Sequence, residues 1–213
     1  MNKITLSGAV ALLVSFTSSA LAHHPMDGKT PSTFGEGLLS GVGHPIIGVD
    51  HLAFVIAVGI AAALIGSRFL SPLAFVGATL VGTGLHLAAV TLPAVEFMIA
   101  ASLVVLGAVV FLGKKLPTAA VAAIFAVAGL FHGFAYGEAI FGAESTPLIA
   151  YLAGFGLTQY AIAVLAGTGV VMMLGKAQEW SANIPARVAG GVVAGAGAML
   201  VSEHALAALN LAG

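Results

Sequence analysis

Six apolar stretches, near 44–66, 70–91, 95–112, 117–136, 147–173 and 184–209, each come close to the roughly 20 residues needed to cross the hydrocarbon core of a bilayer. Lipid offers no water to satisfy backbone N–H and C=O groups, so a chain built from such stretches must close its hydrogen bonds within helices. The expected fold is an all-α integral membrane protein, a six-helix transmembrane bundle. The charge content agrees: 7% of the residues are charged and 60% hydrophobic, against about 25% charged in a soluble domain. Many of the glycines lie inside the apolar stretches rather than in polar linkers. Gly77 to Gly84 and Gly191 to Gly195 therefore read as small faces for close helix approach.

The N-terminus sets the direction of insertion. Lys3 is followed by an apolar run from Ile4 to Phe16 and by the small-residue ending Ala20-Leu21-Ala22, the pattern of a secretory signal peptide. Cleavage after Ala22 makes 1–22 a signal peptide and 23–213 a single transmembrane domain. The mature chain then begins on the outer, periplasmic side of the cell inner membrane as a multi-pass protein. With six crossings, Arg68, Lys114, Lys115, Lys176 and Arg187 fall on the cytoplasmic side and Lys29 outside, as the positive-inside rule asks. Asp27, Glu36, Glu96, Glu138, Glu144 and Glu203 fall on or near the outer face, a negative mouth of the kind that concentrates cations.

Several function classes drop out. A net charge of -1 without any Lys/Arg cluster gives no face for a phosphate backbone, so nucleic acid is not a partner. Zero cysteines exclude thiolate metal sites, disulfides and thiol catalysis. No HExxH, GxSxG or nucleotide-binding signature is present, and the chain is not expected to be an enzyme or to hold an organic cofactor tightly.

The informative residues are the ionisable ones inside the spans, each costing about 2.5–3.5 kcal/mol at a helix centre on insertion scales. The densest group is His44-Pro45-Ile46-Ile47-Gly48-Val49-Asp50-His51. In a continuous helix His44 and His51 share one face but stand about 10 Å apart along the axis, too far to share a small ion. Either Pro45 and Gly48 break the helix and bring them together, or they mark two points along a path. Asp50 can ligate directly or hold an imidazole tautomer. A second group, His132-Gly133-Phe134-Ala135-Tyr136-Gly137-Glu138, places the imidazole and the phenol one turn apart on a common face. His86, Gln159, Tyr160 and the pair Glu203-His204 stand singly. Every intramembrane histidine lies in the outer half. Candidate metal ligands are thus His44, Asp50, His51 and His132, with Glu138 and His86 beside them. Imidazole and carboxylate without sulfur suit nickel, cobalt or zinc, and the scattered methionines argue against a copper(I) relay. At the expected new N-terminus, the amine of His23 with the amide and imidazole of His24 offers a further square-planar chelate for Ni(II) or Cu(II).

At these residues the chain resembles the HupE/UreJ family of membrane proteins, associated with nickel or cobalt supply to hydrogenase and urease. The matching pieces are His44-Pro45, Gly48 and Asp50-His51, the following Ala57-Val58-Gly59, then His132-Gly133-Phe134-Ala135 and Tyr151-Leu152-Ala153-Gly154-Phe155. The resemblance implies a secondary permease for Ni(II) or Co(II) as transported substrate, with His44, Asp50, His51, His132 and Glu138 as the metal path. Many members carry a second histidine where this chain has Tyr136. Membrane lipid and the divalent ion are the implied partners, with room for a homo-oligomer or a metalloenzyme-maturation partner. Competing readings are a haem-binding electron-transfer protein using paired histidines, a metal-binding accessory protein that does not itself transport, and a metal-dependent membrane hydrolase.

Overall fold

The computed structural model describes residues 29–113, 115–174 and 183–209, and within them the protein is entirely helical, with no strand. The segment assigned to the signal peptide, His23 and His24 lie outside the described residues. The helices are α1 (Phe34–Ile47), α2 (Val49–Leu64), α3 (Ser71–Leu87), α4 (Val95–Leu112), α5 (Thr118–Gly137, running into a 3-10 turn at Glu138–Ile140), α6 (Ser145–Leu174) and α7 (Ile184–Ala208).

Four segments are long and apolar enough to cross a membrane: Val95–Leu112, Thr118–Ile140, Ser145–Met173 and Ile184–Ala207. Their outward faces are apolar: on α6, Leu157 and Leu165 are 69% and 70% exposed, which suits lipid and would be costly in water. The expected span at 44–66 is not one helix. It is the end of α1 joined to α2 through a bend of 79°, and α3, apolar but only 17 residues long, is shorter than the four spanning segments. The bend has a local cause. Gly48 adopts φ -72 and ψ 105, an extended conformation that ends α1 and starts α2, while Pro45 has already removed one amide donor from the last turn of α1. At the other end of α1 a capping box holds the start: Thr33 accepts from the Glu36 amide at 3.2 Å, and the Glu36 carboxylate accepts from the Thr33 amide at 3.3 Å.

Close contacts give the helix directions. Along α6, Pro147, Tyr151 and Ala163 meet Gly37, Gly41 and Gly59 in that order, so α1 runs parallel to α6 and the chain, after the bend, continues through α2 toward the same end of it. α3 runs parallel to α5, with Phe75, Thr79 and His86 meeting Gly129, Gly133 and Gly137. α4 and α7 are antiparallel, Leu103 meeting Gly197 and Phe111 meeting Gly190. The glycines at 129, 133 and 137 form a stripe at four-residue spacing along α5 that lets the α3 backbone approach closely, and the Thr83 hydroxyl bonds across to the Gly133 carbonyl at 2.8 Å. Of the small faces expected from sequence, Gly82 and Gly191 are in contact, whereas Gly77, Gly84 and Gly195 face open space.

These directions sort the charges. Glu36, Glu96, Glu138, Glu144 and Glu203 sit at one end of the bundle, with Lys29; Arg68, Lys115 and Arg187 sit at the other.

Candidate metal centre

The bend at Gly48 folds the chain so that residues from four helices meet in one buried layer. His44 arrives on α1, His51 on α2, His132 and Tyr136 on α5 and Tyr151 on α6; all five are at most 4% exposed. The His44 and His51 rings come to 6.1 Å and the His51 and His132 rings to 5.1 Å between centroids. Of the two arrangements the sequence left open for His44 and His51, the structure takes the broken helix.

The single proton of each hydroxyl fixes the imidazole tautomers. The Tyr151 hydroxyl lies 2.9 Å from the Tyr136 carbonyl and 2.8 Å from His44 Nδ1. A carbonyl only accepts, so Tyr151 donates to it and must accept from His44 Nδ1–H. The basic nitrogen of a neutral His44 is then Nε2. Likewise the Ser102 hydroxyl donates to the Ile99 carbonyl at 2.6 Å and accepts from His132 Nε2–H at 3.0 Å. His132 Nδ1 is therefore an acceptor, and at 2.9 Å it takes the Nδ1 proton of His51, whose basic nitrogen is also Nε2. A carbonyl or hydroxyl behind an imidazole, setting which nitrogen carries the lone pair, is the usual support of a metal-binding histidine.

The walls of the layer are aromatic. Phe54 stacks on His132 with centroids 4.4 Å apart, and Tyr136 packs edge-on against His44 at 4.8 Å and tilted against His51 at 4.5 Å. The Tyr136 hydroxyl is buried and has no hydrogen-bond partner. Neither does the Ser40 hydroxyl, buried one turn before His44 on the same face of α1 as Glu36. Glu36, Ser40 and His44, four residues apart, thus run from the acidic end of the bundle to the imidazoles. Asp50 is half-buried in the first turn of α2, and its carboxylate acts electrostatically on both His132 and Tyr136.

The other sequence candidates stand apart from this layer. Glu138 is exposed on the 3-10 turn that follows α5. His86 is half-buried on α3 against Phe134 and Phe141, with Nδ1 unpartnered, and His204 lies on α7. Among the described residues, no three His or carboxylate groups are gathered closely enough to hold one ion at once. Tyr151 and Ser102 were not singled out from sequence: their partners, His44 and His132, are 107 and 30 residues away, and no local spacing announces such a bond.

Comparison with known proteins gives the relatives of the chain. The HupE / UreJ protein family matches residues 10–200. Protein HupE of Rhizobium leguminosarum bv. viciae is 33% identical over 203 residues, covering 94% of this chain and 97% of that protein. No solved structure matches.

Proposed function

The chain belongs to the HupE/UreJ family of membrane proteins, and from that premise we propose that it is a permease that carries Ni(II) or Co(II) across the inner membrane. The observation that carries the reading is the buried layer of three imidazoles from α1, α2 and α5, beside the unpartnered Tyr136 hydroxyl. Buried polar groups at one depth in an apolar bundle are costly, and their natural use is to replace the water of a passing ion. Imidazole nitrogens and a carboxylate suit a divalent ion of intermediate softness.

In this reading the ion enters at the acidic end, past Glu36 and Glu138, and sheds water onto His44, His51 and Asp50, with His132 behind them. A modest approach of the α1–α2 bend toward α5 completes the ligand set. The acidic end is the outer face, because Arg68, Lys115 and Arg187 gather at the opposite end. The bent α1–α2 pair acts as one broken span; with α3 to α7 it makes six crossings, in keeping with the alternating helix directions. Discontinuous helices beside a polar site are the usual architecture where a membrane protein binds its substrate within the bilayer. The signal peptide, and a chelate at His23 and His24 that loads the mouth, belong to the same proposal.

A haem held between facing histidines fits the geometry poorly. His51 and His132 contact each other directly through nitrogens 2.9 Å apart, which leaves no plane for a macrocycle.

Purified protein in detergent, titrated with Ni(II) or Co(II), tests the ligand chemistry. Imidazoles must be neutral to ligate, so protons compete with the metal: binding at neutral pH is expected to weaken by about tenfold or more near pH 5, below the ordinary imidazole value of about 6.5. Binding that is undiminished by acid rules out histidine ligation.

A further inference from the structure

Gln159 stands at the middle of α6, and the imidazole layer does not use it. Its side chain is fully buried, as is that of Thr79 on α3. The amide Nε2 donates to the Phe155 carbonyl at 3.2 Å and to Thr79 Oγ1 at 3.3 Å. This orientation is forced. The Phe155 carbonyl can only accept, so the NH2 group must face it, and the Thr79 hydroxyl spends its own proton on the Val76 carbonyl at 2.7 Å, leaving an oxygen that accepts. By elimination the side of Gln159 without a partner is the carbonyl oxygen Oε1, buried and bonded to nothing.

Its place in the bundle gives this oxygen a meaning. Tyr151, Phe155 and Gln159 are four residues apart on one face of α6, each step rising about 6 Å. Tyr151 bonds His44, Phe155 packs against Tyr136 with ring centroids 5.1 Å apart, and Gln159 comes next, away from the acidic end. From the other side, Thr79 contacts Gly133, the neighbour of His132. The amide therefore lies further from the acidic end than Tyr151 and His44 and level with His132, with Phe155 as the apolar step between.

We propose that Gln159 Oε1 is a second binding point for the divalent cation, a neutral oxygen level with His132 that receives a partly hydrated ion from His44 at the outer side of the layer. The inference rests on the permease reading above. Its chemical logic is release. An ion held by imidazoles and a carboxylate leaves slowly, whereas a single neutral oxygen beside them binds weakly enough to pass it on, as conduction through successive sites requires.

The test separates binding from passage. Gln159→Met keeps the volume and removes the oxygen; Gln159→Asn keeps a neutral amide oxygen one methylene shorter. Purified Gln159→Met is expected to keep the tight binding of Ni(II) or Co(II) at the histidine layer, while uptake by cells falls by about tenfold, and Gln159→Asn restores part of the uptake. Uptake by Gln159→Met equal to wild type overturns the proposal, and a parallel loss of binding and uptake overturns it in favour of a packing role. Should Gln159→Met fail to fold, Thr79→Val, which unfastens the amide without removing its oxygen, must lose uptake with binding intact; unchanged uptake there overturns the proposal equally. A wild type that takes up no more metal than His51→Ala defeats the permease reading itself, a result distinct from any of these.

Discussion

Replacing Gly48 with alanine is expected to cut metal uptake by about fivefold to a hundredfold while leaving the protein folded. The backbone there, at φ -72 and ψ 105, is open to any residue, so strain is not the reason. A Cβ at position 48 would stand 2.7 Å from His51 Cδ2 and 3.4 Å from Asp50 Oδ1. The imidazole has to turn away, and in turning it gives up its bond to His132 Nδ1. Breaking one buried hydrogen bond between polar groups costs about 1–3 kcal/mol, which is enough to lower occupancy of the metal-binding arrangement between about fivefold and a hundredfold. Uptake at matched expression, with size-exclusion behaviour in detergent as the fold control, checks the expectation. A Gly48→Ala protein that transports normally means that the placement of His51 by the bend is unimportant.

The second large effect falls on stability. Alanine at Gly133 would drive its Cβ into the Thr79 carbonyl oxygen and main chain, and backbone, unlike a flexible side chain, cannot swing aside. α3 and α5 must separate, loosening the Thr83 bond to the Gly133 carbonyl as well. Overpacking of this kind typically costs about 1–3 kcal/mol, and the upper end is expected because the obstruction is main chain. Gly84→Ala, on α3 where a Cβ meets nothing, is the matched control. It should be neutral or stabilising by up to about 1 kcal/mol, the ordinary helix preference of alanine over glycine. Thermal unfolding in detergent that shows the two variants alike would refute the close α3–α5 crossing.

How much of this was legible in the sequence depends on the range of the interaction. The all-helical, lipid-facing character follows from the apolar stretches, because length and hydropathy act locally. The break between His44 and His51 was legible as one of two alternatives: Pro45 and Gly48 supply the means, but only packing against α6 shows that the bend is used. α1 itself was not expected, since Gly35, Glu36, Gly37, Ser40, Gly41 and Gly43 dilute its apolar content, and its helix rests on a capping box and on glycine contacts with Pro147 and Tyr151. Tyr136 is visible as the one-turn neighbour of His132, but its phenol is not one of the nitrogen or carboxylate ligands to which the sequence points. The charge asymmetry read from topology matches the two ends of the bundle because every helix keeps the direction that the alternation demands. Glu138 and His86, near the layer in sequence terms, stand outside it because the 3-10 turn and the aromatic pair Phe134 and Phe141 hold them elsewhere.

The central claim is that metal crosses the membrane through the imidazole layer. Elemental analysis of nickel and cobalt in cells lacking their own importers tests it most directly, comparing wild type with His51→Ala and Asp50→Ala at matched expression. The account predicts accumulation in the wild type that falls to background in both variants. Accumulation that persists in both, or none above background in the wild type, would contradict it.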